Sequence, residues 1–525
     1  MRPGAIGSGS GENWSDAVPN LRSAFSLVSK SKNEIWIAGT NVLAAGSVTL
    51  NASNPLVVKG GFYGWESSAD EREPTFRSVI DGGDKTDCLT IANSAAVEIE
   101  RIYFTRSLDC GLIKTGAGNM LVSDCHFFTN GTGRATSGTG KGARVSGTAA
   151  TTVVTFTNCV FRGNRAKIGG DGGCSASGAG VNASKLKCLR LEGCTFIHNG
   201  IHLRAPGGGS SHEPSSGGSY GSAVYSTVPV SAVGCRFAAN FGNVRNDSGD
   251  TKDDGSGGVV RLHAGAEGSA FTNCAWVANG DQIVWEGHGK GGKNIAGALT
   301  VQFGSKEGTV DVNNCTFAYN LTDGYEVTAG LNLVLGTANV RNSIFFGNII
   351  GGTSKTRGRD ISLRGESVLN VAYTLFGEEG TNSITCAATA TTNFLDGVVF
   401  GDPLFVTPNS DLAALVQESK TVSATGAKLI FWDWEDATAE ATYAALENVN
   451  VHLRGGLGYI DERTGALEKA YARGAKSLGI DKGDPKSDYR GEPAGYNGRC
   501  VNMGAYGNTP WATMTQPSGS VYYLR

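Results

Sequence analysis

The sequence has 525 residues, of which 77 are glycine and only 18 % are charged. This much glycine argues against a helical bundle or coiled coil, and a hydrophobic content of 40 % is too high for a disordered chain. With 45 basic and 48 acidic residues the net charge is −3, so no overall field attracts nucleic acid or an anionic membrane, and no nucleic-acid partner is expected.

The N-terminal region predicts one helix followed by short strands. Residues 13–29 begin with capping residue types and carry apolar side chains at near-helical spacing, which predicts a helix that caps the fold. Apolar runs at 34–38, 47–50 and 56–58 predict the first, irregular strands. Met1 to Gly4 lead into Gly and Ser without the apolar core of a signal peptide, so either a signal has been removed or the sequence begins inside a longer one. No apolar stretch approaches the roughly 18 to 20 residues of a membrane helix, so no transmembrane segment is expected.

The middle of the chain contains an internal repeat that reads Cys-x-aromatic-x-x-Asn. Six copies return about every 38 residues, a seventh has Ser343 in place of Cys, and Tyr373–Phe376 resembles a decayed eighth. The six copies begin at Cys125, Cys159, Cys194, Cys235, Cys274 and Cys315. Most copies are preceded by a Gly/Ala tetrad that ends in an aliphatic residue, such as Gly178 to Val181. Short strands without intervening helices, repeated at this period, predict an all-β fold, a right-handed parallel β-helix.

The repeat also predicts which side chains face inward. Cys and the aromatic residue are two positions apart and therefore share one face of a strand, so both should be buried and should stack from turn to turn. We expect the cysteines to be reduced thiols, because stacked neighbours lie farther apart than a disulfide requires. The Asn should occupy a corner, where an amide ladder and tolerance of left-handed backbone are useful. Replacing Cys235 by Ser should cost on the order of 1 to 3 kcal/mol unless the hydroxyl finds a partner.

The loops between the repeats carry the candidate functional residues. The longest are 199–221, 240–257 and 279–297, and their equivalent positions predict that they form a wall with the main groove on one side of the coil. Asp253, Asp254, Arg261 and His263 are candidate catalytic residues, because a lyase needs a base and a cation, and a glycosidase needs carboxylates. Candidate ligand-binding residues are His202, Arg204, Tyr220, Arg245, Trp285, Glu286 and His288, with Trp285 as a sugar-stacking ring. The Asp- and Gly-rich composition of these loops is also what a solvated loop uses.

The C-terminal region has a different composition. Residues 411–450 are richer in Ala and Glu and predict a helix around 435–447. Asp481, Asp484 and Asp488 could form a Ca²⁺ loop, although a hydrogen-bonded Asp turn is the favoured interpretation, and no cofactor is otherwise expected. We therefore divide the chain into an N-terminal cap with first coils (1–82), the β-helix repeats (83–400) and a C-terminal capping region (401–525).

Two sets of motifs resemble known families. The alternation of Phe-x-x-Asn with Gly-Gly-Ala-like tetrads resembles the repeats of the polymorphic outer membrane proteins. The Gly-Gly-Phe-x-Gly-x-Glu block at 60–66 and the ending from Ile480 to Thr509 are similar to secreted bacterial right-handed β-helix proteins with a choice-of-anchor type terminal region. The resemblance implies a secreted or cell-surface protein, and its motif residues are structural, so it implies no catalytic residue.

Three functions remain open on these grounds. The first is a secreted or cell-surface β-helix whose loop wall serves adhesion or binds a polysaccharide or host-cell glycan. The second is a polysaccharide lyase or glycoside hydrolase that acts on an acidic or sulfated polysaccharide. The third is a purely structural stalk or passenger domain. The fold does not choose among them, because one fold serves many functions.

Overall fold

A computed structural model describes residues 1–43, 46–51, 53–131, 134–135, 137–169, 175–205, 219–246, 258–285, 297–323, 328–351, 359–379, 383–407, 447–455, 457–469 and 476–515. The chain forms two compact units, one comprising Met1–Glu267 with Asp281–Ile295 and the other Gly268–Gly280 with Ala296–Arg525. Almost all of the regular structure is parallel β-strand, and the predicted right-handed parallel β-helix is confirmed.

Each turn of the first unit contributes one strand to each of three parallel sheets, A, B and C, and several turns add strands to two further sheets, D and E. Sheet A contains Glu34–Ala38, Leu56–Phe62, Val97–Glu100, Met120–Ser123, Val153–Thr157, Cys188–Glu192 and Val230–Val233. Sheet B contains Thr40–Val42, Ser78–Asp81, Ile102–Thr105, His126–Phe128, Val160–Arg162, Thr195–Ile197 and Arg236–Ala238. Sheet C contains Val48–Leu50, Leu89–Ile91, Leu112–Lys114, Ala143–Ser146, Val181–Ser184, Val224–Ser226 and Val260–His263. Sheet D contains Arg134–Ala135, Arg165–Gly169, Gly200–Ala205, Phe241–Asn246 and Gly280–Trp285, and sheet E contains Ser137–Thr139, Ser175–Ser177 and Ser219–Tyr220.

The second unit uses the same turn. Its sheet A strands are Ser269–Thr272, Thr309–Asn313, Thr337–Arg341, Val368–Ala372 and Thr391–Phe394. Its sheet B strands are Ala275–Val277, Thr316–Ala318, Ile344–Phe346, Leu375–Phe376 and Val399–Phe400. Its sheet C strands are Leu299–Gln302, Leu331–Leu335, Ile361–Leu363 and Ile384–Cys386, and its sheet D strands are Leu321–Asp323 and Ile349–Gly351. A short antiparallel pair, Tyr459–Ile460 with Leu467–Glu468, follows.

The predicted N-terminal helix is shorter than the pattern over 13–29 suggests. It covers only Leu21–Ser26, and the N-cap is Asn20, whose side chain accepts a hydrogen bond from the Ser23 N–H at 2.9 Å. Pro19 explains the late start, because proline disfavours helical backbone in the residue before it. A single 3₁₀ turn follows at Ala69–Glu71. No helix in the described part of the chain is long and apolar enough to cross a membrane, and most of the helix predicted at 435–447 lies outside the described residues.

The predicted inward column of aromatic rings is confirmed. In the first unit Phe127, Phe161 and Phe196 are fully buried and stack face to face, with centroids 4.5 Å and then 4.7 Å apart. In the second unit Trp276 stacks on Phe317 at 4.5 Å. The spacing follows the distance of about 4.8 Å between paired strands, so each turn presents its ring directly to the next.

The cysteine column is also confirmed as a set of buried free thiols. Of the described cysteines none is in a disulfide, and the six repeat cysteines are at most 2 % exposed. Burial raises the pKa of Cys125 to about 12, so this thiol stays protonated and unreactive at neutral pH. Cys88 and Cys110 are free and buried, Cys188 and Cys500 are half-buried, Cys386 is exposed, and Cys174 lies outside the described residues.

Each thiol also has a polar partner that the sequence does not reveal. Cys194 Sγ donates to the Phe156 carbonyl at 3.2 Å, and Cys235 Sγ donates to the Leu191 carbonyl at 3.4 Å, in each case on the preceding turn. Ser343 also donates its hydroxyl, to the Arg341 carbonyl of its own turn at 2.8 Å and to the Val312 carbonyl of the preceding turn at 3.5 Å. Each position in the column therefore requires a small side chain that can donate a hydrogen bond.

The Cys235→Ser variant should consequently lose less than about 1 kcal/mol of unfolding free energy, because its hydroxyl can donate to the Leu191 or Val233 carbonyl. Cys235→Val should lose more, about 1 to 3 kcal/mol, because it adds bulk without a donor. Urea titrations of the two variants measure the difference. If the serine variant proves the less stable of the two, the hydrogen-bond interpretation of the column is wrong.

The Asn of the repeat forms the expected ladder, but the left-handed backbone lies elsewhere. Asn164, Asn199 and Asn240 are buried, and each amide donates to the next one. The left-handed residue is the one before the Asn, as at His198 with φ 54°, and a second left-handed corner precedes each Cys, as at Asn158 with φ 52°. The Asn of the repeat is thus selected for its amide and not for its backbone.

The C-terminal region of the second unit docks along the coil through the corners before Cys. The Asn273 amide donates to the Ala505 carbonyl at 3.0 Å, and the Asn314 amide donates to the Asn502 carbonyl at 3.1 Å. Asn342 Oδ1 accepts the Asp484 N–H at 2.7 Å. These corner residues hold the terminal segment against sheets A and B of its own unit. In the first unit, glycine often stands at the equivalent positions.

Candidate functional site

The three long loops leave the coil on one side, as predicted for the part that is described. Their first residues form the neighbouring sheet D strands Gly200–Ala205, Phe241–Asn246 and Gly280–Trp285. Gly200 is required here, because a Cβ at this position would lie 2.1 Å from the buried Phe241 ring. The remaining parts of the loops lie outside the described residues, so the predicted groove stays a prediction.

Sheets E and C meet at a tight corner in the first unit. Gly221, with φ 63°, turns the chain, and a Cβ there would lie 2.1 Å from the Val224 carbonyl oxygen. Equivalent glycines turn the two preceding repeats at Gly140 and Gly178. As a result, side chains five residues apart face each other across the corner, as Asn182 does when its amide donates to Ser177 Oγ at 2.8 Å.

Four side chains at this corner form what we call the corner cluster: Tyr220, Tyr225, Arg261 and His263. The Arg261 guanidinium carbon lies 4.5 Å from the centre of the Tyr220 ring, a cation–π contact. The Tyr220 and Tyr225 ring centroids are 5.9 Å apart, and those of Tyr225 and His263 are 6.4 Å apart. The two tyrosines and the histidine are half-buried, whereas Arg261 is only 3 % exposed. The cluster thus presents three half-buried rings, with a buried cation against the first of them.

Electrostatics at the cluster follow from burial and from Arg261. Burial lowers the pKa of His263, and the Arg261 charge lowers it further, so the imidazole is neutral at neutral pH. Burial raises the pKa of Tyr225, which keeps its phenol protonated. A neutral imidazole and an intact phenol can accept and donate hydrogen bonds to hydroxyl groups, and the neutral imidazole can also accept a proton.

The outward row of sheet C continues the cluster with polar residues. Arg144, Asn182, Tyr225 and Arg261 occupy paired register positions on successive strands. Arg144 Nη1 lies 3.2 Å from an Asp109 carboxylate oxygen, and the buried Lys141 ammonium pairs with the same carboxylate. Two cations therefore share one carboxylate beside the row.

The predicted site residues fall into three groups. Tyr220, Arg261 and His263 come together in the corner cluster, although Arg261 is buried against Tyr220. His202, Arg204, Arg245 and Trp285 lie on sheet D strands, where Arg204 and Arg245 occupy paired backbone positions. Asp253, Asp254, Glu286 and His288 lie outside the described residues.

Sequence analysis missed Tyr225, Asn182 and Arg144. Tyr225 and Asn182 directly follow the aliphatic residue that ends a Gly/Ala tetrad, and so does Arg261, after Val260. Successive side chains of a strand point to opposite faces, so the residue after the buried aliphatic one points outward. Extending each tetrad by one residue would therefore have identified the outward row of sheet C.

The three C-terminal aspartates behave as turn residues. Asp484 Oδ1 accepts the Lys486 N–H at 2.9 Å, and the Asp484 carboxylate pairs with Arg341. Asp481 pairs with Lys476 and Asp488 with Arg490, both at 2.8 Å. Within the described ranges, no group of three or more His, Cys, Asp or Glu side chains is placed to hold a metal ion.

Comparisons of the chain with protein-family models, with curated proteins and with solved structures found no match.

Proposed function

We propose that this protein is an extracellular or cell-surface β-helix that binds an acidic polysaccharide along the corner cluster. The observation that carries the proposal is the row of three rings, Tyr220, Tyr225 and His263, with the Arg261 cation against the first. Sugar rings stack their C–H faces on aromatic rings, and a row at about 6 Å spacing offers successive platforms along a chain.

The charges near the row favour an acidic ligand. Arg144 lies in the outward row of sheet C, is one third exposed, and shares the Asp109 carboxylate with Lys141, which leaves one net positive charge there. Guanidinium groups bind carboxylates and sulfates through charge-assisted hydrogen bonds. A uronate or sulfated polymer is therefore a better ligand for this face than a neutral one.

Replacing Tyr225 by Ala should weaken binding of polygalacturonate or heparin about 5- to 100-fold, the effect of losing one aromatic platform. Isothermal titration calorimetry on the intact chain measures this effect, and Trp285→Ala tests the sheet D strand Gly280–Trp285. Tyr103→Ala is the matched control, because Tyr103 is also half-buried and its ring lies 5.8 Å from His126, but on sheet B. Equal losses in the Tyr103 and Tyr225 variants would place the binding face elsewhere. Unchanged affinity in the Tyr225 and Trp285 variants would favour the structural stalk.

A second function, elimination on a uronate polymer, is favoured by one observation. His263 is half-buried, and burial together with the nearby Arg261 charge lowers its pKa, which leaves the neutral imidazole that a lyase needs as a base. In that reaction the imidazole would remove the C5 proton, the electron pair would form the C4–C5 double bond, and the C4–O bond would break, with the leaving oxygen taking up a proton.

The elimination predicts an unsaturated product that absorbs in the ultraviolet. His263→Ala should abolish its formation while leaving polygalacturonate binding measurable, because the two tyrosine rings of the cluster remain to stack on the sugar. Absence of the unsaturated product with every uronate polymer tested would leave binding as the function.

A further inference from the structure

A cavity lies in the N-terminal part of the first unit, among residues that the proposed function does not use. It has a volume of about 390 Å³ and is lined by the segment before the helix Leu21–Ser26, by the end of that helix and by the strand Glu34–Ala38. This volume is in the range of small-molecule sites. We call it the N-terminal pocket.

Two indole rings form its aromatic wall. Trp36 stacks on the buried Phe62 ring, with centroids 4.5 Å apart and planes at 11°, and it lines the pocket. Trp14 lies 6.1 Å from Trp36, tilted by 44°, and its Nε1 donates to the Glu66 carbonyl at 2.8 Å. Both indoles are half-buried, so packing and hydrogen bonding fix the two rings before any ligand arrives.

Each charged side chain of the pocket already has a partner. Lys32 Nζ lies 3.4 Å from the Glu12 carboxylate, and Glu34 accepts Lys59 Nζ at 2.9 Å. Glu66 accepts the backbone N–H groups of three residues, Tyr63, Gly64 and Trp65. Although burial raises the pKa of Glu34, hydrogen bonds from Trp36 and Lys59 outweigh it and hold that pKa below its ordinary value.

This pairing decides what kind of ligand fits. A cationic ligand would have to compete with Lys32 and Lys59 for the carboxylates, and an anionic ligand would meet three carboxylates and one lining lysine. A neutral polyol does not have to displace a lysine and is not repelled by the carboxylates. Its hydroxyls can donate to the remaining lone pairs of Glu12 and Glu34 and can accept a hydrogen bond from Lys32. Its C–H faces can stack on the indoles.

We propose that the N-terminal pocket binds a neutral mono- or disaccharide against the indoles of Trp14 and Trp36, with Glu12, Lys32 and Glu34 hydrogen-bonding to its hydroxyls. This site goes beyond the proposed function, because it lies among other residues and takes the opposite class of sugar from the acidic polymer assigned to the corner cluster.

The test uses the intact chain with cellobiose, lactose, maltose and N,N′-diacetylchitobiose, and with digalacturonate and tetramethylammonium as charged comparators. Saturation-transfer NMR and calorimetry should detect binding of at least one neutral disaccharide and weaker or no binding of the charged probes. Trp14→Ala should reduce that affinity roughly tenfold or more. Lys32→Met should reduce it about threefold to tenfold without touching the core, because the Lys32 side chain is half exposed.

Trp65→Ala is the matched control, because Trp65 is 67 % exposed and does not line the pocket. An equal loss in the Trp65 and Trp14 variants, a preference for digalacturonate or tetramethylammonium, or no binding of any neutral disaccharide would overturn the proposal. The two sites are separable, since Tyr225→Ala should leave disaccharide binding intact and Trp14→Ala should leave polygalacturonate binding intact.

Discussion

Replacing Asn199 by Leu is expected to lower the free energy of unfolding by about 3 to 5 kcal/mol, the largest effect of any single change considered. Asn199 is completely buried, and its amide donates to the Phe161 carbonyl at 2.8 Å and to Asn240 Oδ1 at 3.0 Å. Its Oδ1 accepts both the backbone N–H and the amide of Asn164, at 3.2 Å and 2.9 Å. Leucine has a similar volume but leaves these groups without a partner inside the coil, where the lack of water makes each loss costly.

Urea titration followed by circular dichroism measures the loss, and Asn393→Ala supplies the matched control. Asn393 also belongs to an amide ladder, donating to Asn370 Oδ1 at 2.8 Å, but it is exposed, so water can replace its partner. The control should lose less than about 0.5 kcal/mol. If Asn199→Leu proved equally harmless, the buried ladder would contribute nothing to stability, and the recurrence of Asn in the repeat would need another cause.

The repeat itself could be read from the sequence because its chemistry is local. Cys194 and Phe196 are two residues apart, so strand geometry alone places them on one face, and the period then stacks them on their equivalents. The ladder of Asn199 was predictable for the same reason. Its backbone conformation was not, because the left-handed position moved by one residue to His198, where a non-glycine side chain tolerates φ 54° within a well-packed corner.

The contacts of the C-terminal segment could not be derived in this way. Asn273 donates to the carbonyl of Ala505, more than 200 positions further along the chain, and no periodicity links the two residues. The coil does not constrain the outward side chain of a corner. The sequence around such an Asn is therefore the same whether its amide binds water or a distant segment of the chain. Only the coordinates separate the two cases.

The candidate site was recovered in part for related reasons. His263 and Tyr220 stood out as uncommon side chains beside long loops, which is a local signal. Tyr225 did not, because its position in the row depends on the strand register, with Asn182 on one side and Arg261 on the other. Register is set by the pairing of whole strands, so a residue can be assigned to a row only after the turns have been aligned.

Replacing Asp360 by Asn is expected to stabilise the protein above pH 7 by about 2 to 3 kcal/mol and to leave it unchanged near pH 4. Asp360 ends the asparagine ladder of the second unit, accepting the Asn348 amide at 2.8 Å and the hydroxyl of Ser383. Burial raises its pKa to about 6, although both hydrogen bonds oppose this shift. Between pH 4 and pH 6, therefore, Asp360 keeps its proton in the folded chain but has already released it in the unfolded chain.

The sign of the pH effect follows from that proton. Stability from Asp360 is fully present below about pH 4 and is lost as the pH rises through about 6, because the folded state must then bury a charge. Asparagine has the same shape and no charge, and its amide can donate to the Ser383 hydroxyl, so the variant should lack this loss. Glu492 adds a similar, separate loss, since burial raises its pKa to about 7.

Urea titrations of both proteins from about pH 4 to pH 8 test the argument, with Asp311→Asn as the control. Asp311 is exposed and bonded to the Asn339 amide, so its replacement should leave the pH profile of the wild type unchanged. The Asp360→Asn profile should lack the decline that Asp360 causes between about pH 4 and pH 6, and the additional change Glu492→Gln should remove the decline due to Glu492 in the same way. A variant that is less stable than the wild type at pH 8 would mean that the ladder requires the carboxylate charge, and that the two hydrogen bonds to Asp360 outweigh the cost of burying it.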